Sequence, residues 1–361
     1  MLLNKFFMRL LLSFCFCLIS HLTFSQNWQI IWEDNFDGSQ LDLSKWTHDI
    51  GSGSQFGLWG WGNGELQFYQ SQNTELENGI ATITVKEEPS GLVDSWNNSF
   101  YYSSSKITTK GKFDFRYGKV EARIKSIDGQ GFWPAFWMLP TNGQWPCDGE
   151  IDIMEQWGNN YLTNSTTGAA HIGTCPYSQA SHFYQNFSSY ISSGSYADEF
   201  HTYSIVWKPD TIKWYVDEVE KFVLTPSSYF SIPNQHEWPF NSNEWYIMIN
   251  LAITQDGPNL NTVFPNQIEI DYVRVFQDIS TSSLNYEIKD FDFFPNPTKE
   301  KLYINKNLIQ SVHIHDLSGK LLLKKIINDD YINVDFLNSG IYIVTIKGKD
   351  GNKKNKKLII K

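Results

Sequence analysis

Basic side chains are scarce in this sequence. Against 39 Asp and Glu stand 29 Lys and Arg, for a formal net charge of −10, and fourteen of the lysines lie after Tyr286. The body of the chain is therefore acidic, and no nucleic acid is expected as a partner. Cysteine is scarce too, at 4 of 361 residues, which excludes a disulfide-dense scaffold and a zinc cluster of Cys and His. After the first 25 residues no apolar run approaches the about eighteen residues of a membrane span, so no transmembrane segment is expected. Glycine fingerprints for nucleotides are absent, and helix-period patterning is almost missing.

Aromatic residues, in contrast, are abundant, 16% of the chain with 14 Trp. Tryptophan fills cores, but it also lines sugar-binding clefts, because the apolar face of a pyranose stacks on an indole. With 41% hydrophobic and 19% charged residues the chain has ample material for a core. From Trp28 to Phe276 it runs as short alternating or apolar stretches, such as "GIATITVKEE", "YGKVEARIKS" and "WYIMINLAI", punctuated by Gly, Asn, Ser and Pro. That density of strands predicts an all-β sandwich or barrel.

The ends differ from the body. Lys5 and Arg9, the apolar run Leu10 to Ser20 and the segment Thr23-Phe24-Ser25 read as a signal peptide over 1–25. Its removal leaves Cys147 and Cys175, which an exported protein can hold as a disulfide, the alternative being two separate buried thiols. The polar segment 278–290 reads as a linker, and 291–361 as a small second β-sandwich. From Tyr286 on, fourteen lysines face nine acids with no arginine, alternating with apolar residues as on a solvated strand face.

The densest chemical signal is "GEIDIMEQWG", which holds Glu150, Asp152 and Glu155. On a regular strand Glu150 and Asp152 share a face while Glu155 points away. A β-bulge at Ile153-Met154 would return Glu155 to that face. At about 3.3 Å per residue the outer backbones stand roughly 13 Å apart, and two glutamates leaning together can reach the roughly 5–5.5 Å of a retaining glycosidase. One glutamate would attack the anomeric carbon and the other protonate the leaving oxygen, with Asp152 sharing a hydrogen bond with the nucleophile. Three close acids cannot all ionise cheaply, which keeps the proton donor protonated. A solvated strand face and a calcium site are the bland alternatives. The flanking Ile151, Ile153, Met154 and Trp157 weigh against the first, and carboxylates at short intervals leave the second open.

This stretch resembles the signature of glycoside hydrolase family 16 in its bulged, laminarinase-like form. Supporting pieces are "WEDNFDGSQLDLSKW", "GWGNGELQFYQ", "KITTKGKFDFRYGKVEARIK", "GFWPAFWMLP", "FHTYSIVWKPDTIKWYVD" and "IDYVRVFQ". The resemblance implies a concanavalin-like β-jelly roll over 26–277 with a concave cleft, and a retaining endo-β-1,3-glucanase acting on β-glucan. It assigns Glu150 as nucleophile, Asp152 as its partner and Glu155 as acid/base. It also implies substrate contacts from Trp145, Trp133, Trp137, His171, Asn63, Glu65 and Arg123. A structural calcium held mostly by backbone oxygens of Glu33, Gly79 and Asp271 is a further implication, with no cofactor needed for the chemistry. Cys147 and the loop "GTCPYSQASHFYQN" depart from the family pattern and invite a Cys147–Cys175 bridge.

Mixed-linkage β-1,3-1,4-glucan or a galactan such as agar would fit the same chemistry. A non-catalytic glucan-binding protein would be expected to lack the carboxylates, and all three are present. The tail pieces "FFPNPTKEKLYI", "IHDLSGKLLL", "LNSGIYIVTI" and "KKLIIK" resemble the type A sorting domain of the type IX secretion system of Bacteroidetes. That implies the secretion machinery as a partner and an enzyme released from the cell or held at its surface; a monomer is expected.

Overall fold

The computed structural model describes residues 28–158, 164–229, 238–279, 293–304, 306, 308–349 and 353–361. The expected signal peptide, and the expected linker beyond Ile279, lie outside them. The chain divides into two compact units, Met1–Ser280 and Thr281–Lys361.

The first unit is a jelly roll of two sheets. One has seven strands in the order Phe183–Tyr190, Ser165–Ile172, Glu150–Glu155, Phe132–Pro140, Trp245–Ile253, Lys106–Thr108 and Thr47–His48. The other has ten. Its path runs Val219–Leu224, Thr211–Val216, His201–Lys208, Gly118–Lys125, Asn266–Asp278, Ile80–Val93, Ser99–Ser104 and Gln67–Tyr69, with Trp28–Asp34 and Thr74–Glu77 paired at its side.

Strand alternation builds the core between these sheets. In Gly118–Lys125 the side chains of Val120, Ala122 and Ile124 are buried, while Lys119, Arg123 and Lys125 fall on the other face. From the seven-stranded sheet come Phe136, Met138, Ile151, Ile247 and Ile249. The indoles of Trp46, Trp207, Trp214 and Trp245 are fully buried, and each large apolar side chain so placed contributes about 1.5–3 kcal/mol. The Trp245–Ile253 strand is buried along its whole length and lies inside the sheet, with neighbours on both edges.

The second unit has its own core, which includes Leu302, Ile314, Val344 and Leu358. A three-stranded sheet and a four-stranded sheet enclose it. Among the described residues no helix is long and apolar enough to cross a membrane.

Candidate active site

The carboxylate strand is bulged where its spacing requires. On one side Asp152 lies opposite Trp137 and Met154 opposite Phe136; on the other, Asp152 lies opposite Ala169 and Glu155 opposite Thr167. One extra residue is thus accommodated at Ile153-Met154. Ile151, Ile153 and Met154 enter the core, which leaves Glu150, Asp152 and Glu155 on the face turned away from it.

A bulge takes carbonyl groups out of the ladder, and three side chains satisfy them. The Asp152 carbonyl accepts from Trp214 Nε1 at 2.8 Å, a bond from the opposite sheet. The Glu155 carbonyl accepts from Thr166 Oγ1 at 3.1 Å and Thr167 Oγ1 at 3.4 Å. Gly168 leaves room for this arrangement: a Cβ there would stand 2.9 Å from the Asp152 carbonyl oxygen and 2.6 Å from the Phe187 ring.

Burial sets the protonation of the three acids. Desolvation, and then the neighbouring Asp152, push Glu150 up to about 8. Desolvation and Asp152 likewise raise Glu155 to about 8, opposed by the Trp133 hydrogen bond. Asp152, raised by burial to about 7, is held back by a hydrogen bond with Glu150. All three are therefore held above the ordinary carboxylate range, and Glu150 and Asp152, joined by that bond, share the charge the pair carries.

Indole and imidazole groups surround the acids. Trp133 donates Nε1–H to Glu155 Oε1 at 2.9 Å and stacks on Trp157 at 4.3 Å. Trp137 lies opposite Asp152 and donates to Asn250 Oδ1 at 2.7 Å. His171 is registered against Glu150, with its Nε2 3.0 Å from Asp152 Oδ2. That contact is close but poorly aligned for a hydrogen bond, and Asp152 Oδ2 has no aligned donor. Glu150, Asp152 and His171 present N and O atoms all within 4.8 Å of one another, so the position of one proton is felt by all three.

Trp145 is a half-exposed residue before the carboxylate strand, its ring 4.9 Å from both Tyr177 and His182. A disulfide joins Cys147 to Cys175 with Cα atoms 5.5 Å apart, tying the Trp145 loop to the one that carries Tyr177 and His182. Glu65 is linked through other side chains to Trp137, and Asn63 braces a loop. The buried Glu65 accepts from Gln67 and Tyr69, Tyr69 accepts from Asn250, and Asn250 holds Trp137. Glu65 is thus a brace for the Trp137 wall, and the Asn63 carbonyl anchors Gln255 at 2.7 Å. Lys106, which no sequence pattern singles out, places its ammonium 4.4 Å from the Trp61 ring and 4.9 Å from the Trp137 ring.

Arg123 is a correction. Its strand belongs to the ten-stranded sheet, and alternation turns it away from the core, to pair with Asp271 at 2.6 Å and cover Phe200. It does not join the carboxylates.

The three residues expected to hold calcium gather elsewhere. Asn266–Asp278 pairs with Ile80–Val93 up to Ile270 and with Trp28–Asp34 from Val273, so Asp271 falls in the gap between two partners. Gly79 ends the turn into the first partner, and Glu33 lies in the second. A cation held there would depend on backbone carbonyls alone. The side chains do not add to it: Asp271 is paired with Arg123, Glu33 lies 3.4 Å from Arg274, and the Glu33 carbonyl already accepts from Lys45 at 2.8 Å.

Comparison with known proteins matches residues 61–273 to Glycosyl hydrolases family 16 and residues 292–361 to the Secretion system C-terminal sorting domain. The chain is 37% identical over 264 residues to glucan endo-1,3-beta-glucosidase A1 of Niallia circulans, covering 69% of this chain but 38% of that protein. It is 32% identical over 274 residues to the beta-glucanase of Rhodothermus marinus, covering 70% of this chain and 86% of that one. Among solved structures it is similar to the laminarinase catalytic domain of Thermotoga maritima, with a TM-score of 0.63 and 35% identity over 70% of this chain and 99% of that one.

Proposed function

Because the chain belongs to glycosyl hydrolases family 16, we propose that it is a retaining endo-β-1,3-glucanase of the laminarinase type. The observation that carries this reading is the bulged strand, which turns the buried Asp152 and the half-buried Glu150 and Glu155 to one face beside the Trp133 indole. Glu150, sharing a negative charge with Asp152, attacks the anomeric carbon. Glu155 gives its proton to the departing oxygen and then, as a carboxylate, activates water against the glycosyl-enzyme ester. The Trp133 indole bonded to Glu155 holds that carboxyl in place through both steps.

The test follows products from laminarin, barley mixed-linkage glucan and agarose. The full chain should cleave laminarin fastest. Glu155→Gln should lower kcat by about 10²–10⁴-fold, and Glu150→Gln should leave no product. Faster release from mixed-linkage glucan or agarose would replace the substrate, and binding without products would overturn the enzymatic reading.

The sorting domain at 292–361 indicates secretion. We further propose export by a signal peptide and then the type IX machinery, ending in release or surface attachment. Calcium, if held by the Glu33, Gly79 and Asp271 carbonyls, would brace the ten-stranded sheet and take no part in the reaction. A rise in Tm on adding calcium that EDTA reverses supports it, and superimposable melting curves oppose it.

A further inference from the structure

We propose that His182 is a positioning residue for the reaction, donating its Nε2–H to His171 Nδ1 and so obliging His171 to present Nε2–H to Asp152. The inference rests on the glycosidase reading of the carboxylate strand. His171 Nδ1 and His182 Nε2 are 2.9 Å apart, a separation that holds one proton between two nitrogens. The rings lie within 13° of parallel, with centroids 5.1 Å apart, as an in-plane N–H···N contact requires. On its other edge His171 Nε2 stands 3.0 Å from Asp152 Oδ2.

His182 carries a single N–H when neutral, and burial together with His171 disfavours its protonation. With that hydrogen on Nε2, His171 Nδ1 is an acceptor and its own hydrogen must sit on Nε2. That places a hydrogen on the His171 nitrogen nearest Asp152 Oδ2, 3.0 Å away, in a contact that is close but off the hydrogen-bond line.

His182 is held in place from three directions. Its ring is 4.9 Å from Trp145 and 5.9 Å from Tyr177, His171 stacks on Tyr184 at 5.3 Å, and the Cys147–Cys175 bridge ties down the loop between. The groups around the Asp152–His171 contact are Glu150 and Glu155 on the same strand, His182 and Tyr184 from the neighbouring edge, and Tyr246, which feels Glu150 from the other side. Of these, Glu150 is the other group hydrogen-bonded to the Asp152 carboxyl.

Two variants of the full chain test this. His182→Phe keeps a ring against Trp145 and removes the donor, whereas His182→Gln restores an N–H near the Nε2 position. Loss of a donor to a carboxylate favours its protonated form, so His182→Phe should move the acidic limb of kcat/KM about one unit to higher pH. It should also lower kcat about tenfold with KM nearly unchanged, and Gln should recover most of both.

¹⁵N NMR of the unliganded wild type, which needs no turnover, should show His182 Nε2 and His171 Nε2 protonated and His171 Nδ1 bare. A His171 Nδ1–H signal would overturn the proposal, as would a Phe variant with an unchanged pH profile and only a raised KM, or a Gln variant no better than Phe. Correct tautomers in a protein that hydrolyses no glucan would instead sink the glycosidase reading alone.

Discussion

Glu155 illustrates what a half-buried, desolvated acid means for stability. Its folded-state value is raised to about 8 by burial, while an unfolded glutamate titrates near the ordinary value, about 4.3. The stability this confers is fully present below the unfolded value and is lost as pH rises through the folded one. Glu155→Gln cannot ionise and still accepts from Trp133. Its melting curve should match wild type at pH 4 and climb above it as pH rises through 8, by about 2–4 °C for each kcal/mol of the ionisation penalty. Equal Tm values at both pH extremes would show that the acid is not desolvated. At this scale the sequence is only half informative. The spacing of Glu150, Asp152 and Glu155 exposes the chemistry because strand periodicity alone decides which way a side chain faces. Arg123 obeys the same rule, and it is excluded from the cleft because its strand lies in the ten-stranded sheet, where alternation turns it away from the core. His182 cannot be found this way, since its tie to His171 is made by a loop closing on itself in space.

The bulged strand depends on residues outside it. Trp214 crosses from the other sheet to the Asp152 carbonyl, and Gly168 leaves the gap it passes through. Trp214→Phe keeps a ring but leaves a small void and orphans that carbonyl, the lost bond alone costing about 1–3 kcal/mol. Its denaturation midpoint should fall accordingly, with a drop in kcat as the acids lose their alignment. Gly168→Ala forces a Cβ against backbone and two rings and should cost at least as much. If Trp214→Phe retains full activity and stability, the bulge does not need its partner. The bulge itself is readable from six residues. Its support is not, because a hydrogen bond between sheets leaves no periodic mark in either strand.

Each of the two units carries a separate hydrophobic cluster, one holding Ile151 and Trp214 and the other holding Ile314 and Val344. A chain ending at Ile279 should therefore fold and hydrolyse laminarin within about twofold of the full chain, since all the acids and their supports lie before that point. Aggregation or inactivity of the shortened chain would mean that the tail helps the first unit fold. Chain segmentation is legible because charge and periodicity change together near residue 280. Residues 281–361 hold fourteen lysines and nine acids, which leaves −15 on residues 1–280 against a total of −10. Parted from that tail, the first unit becomes a strongly anionic colloid. Repelled by anionic surfaces and by other copies of itself, it would disperse over uncharged polysaccharide rather than settle where it was made.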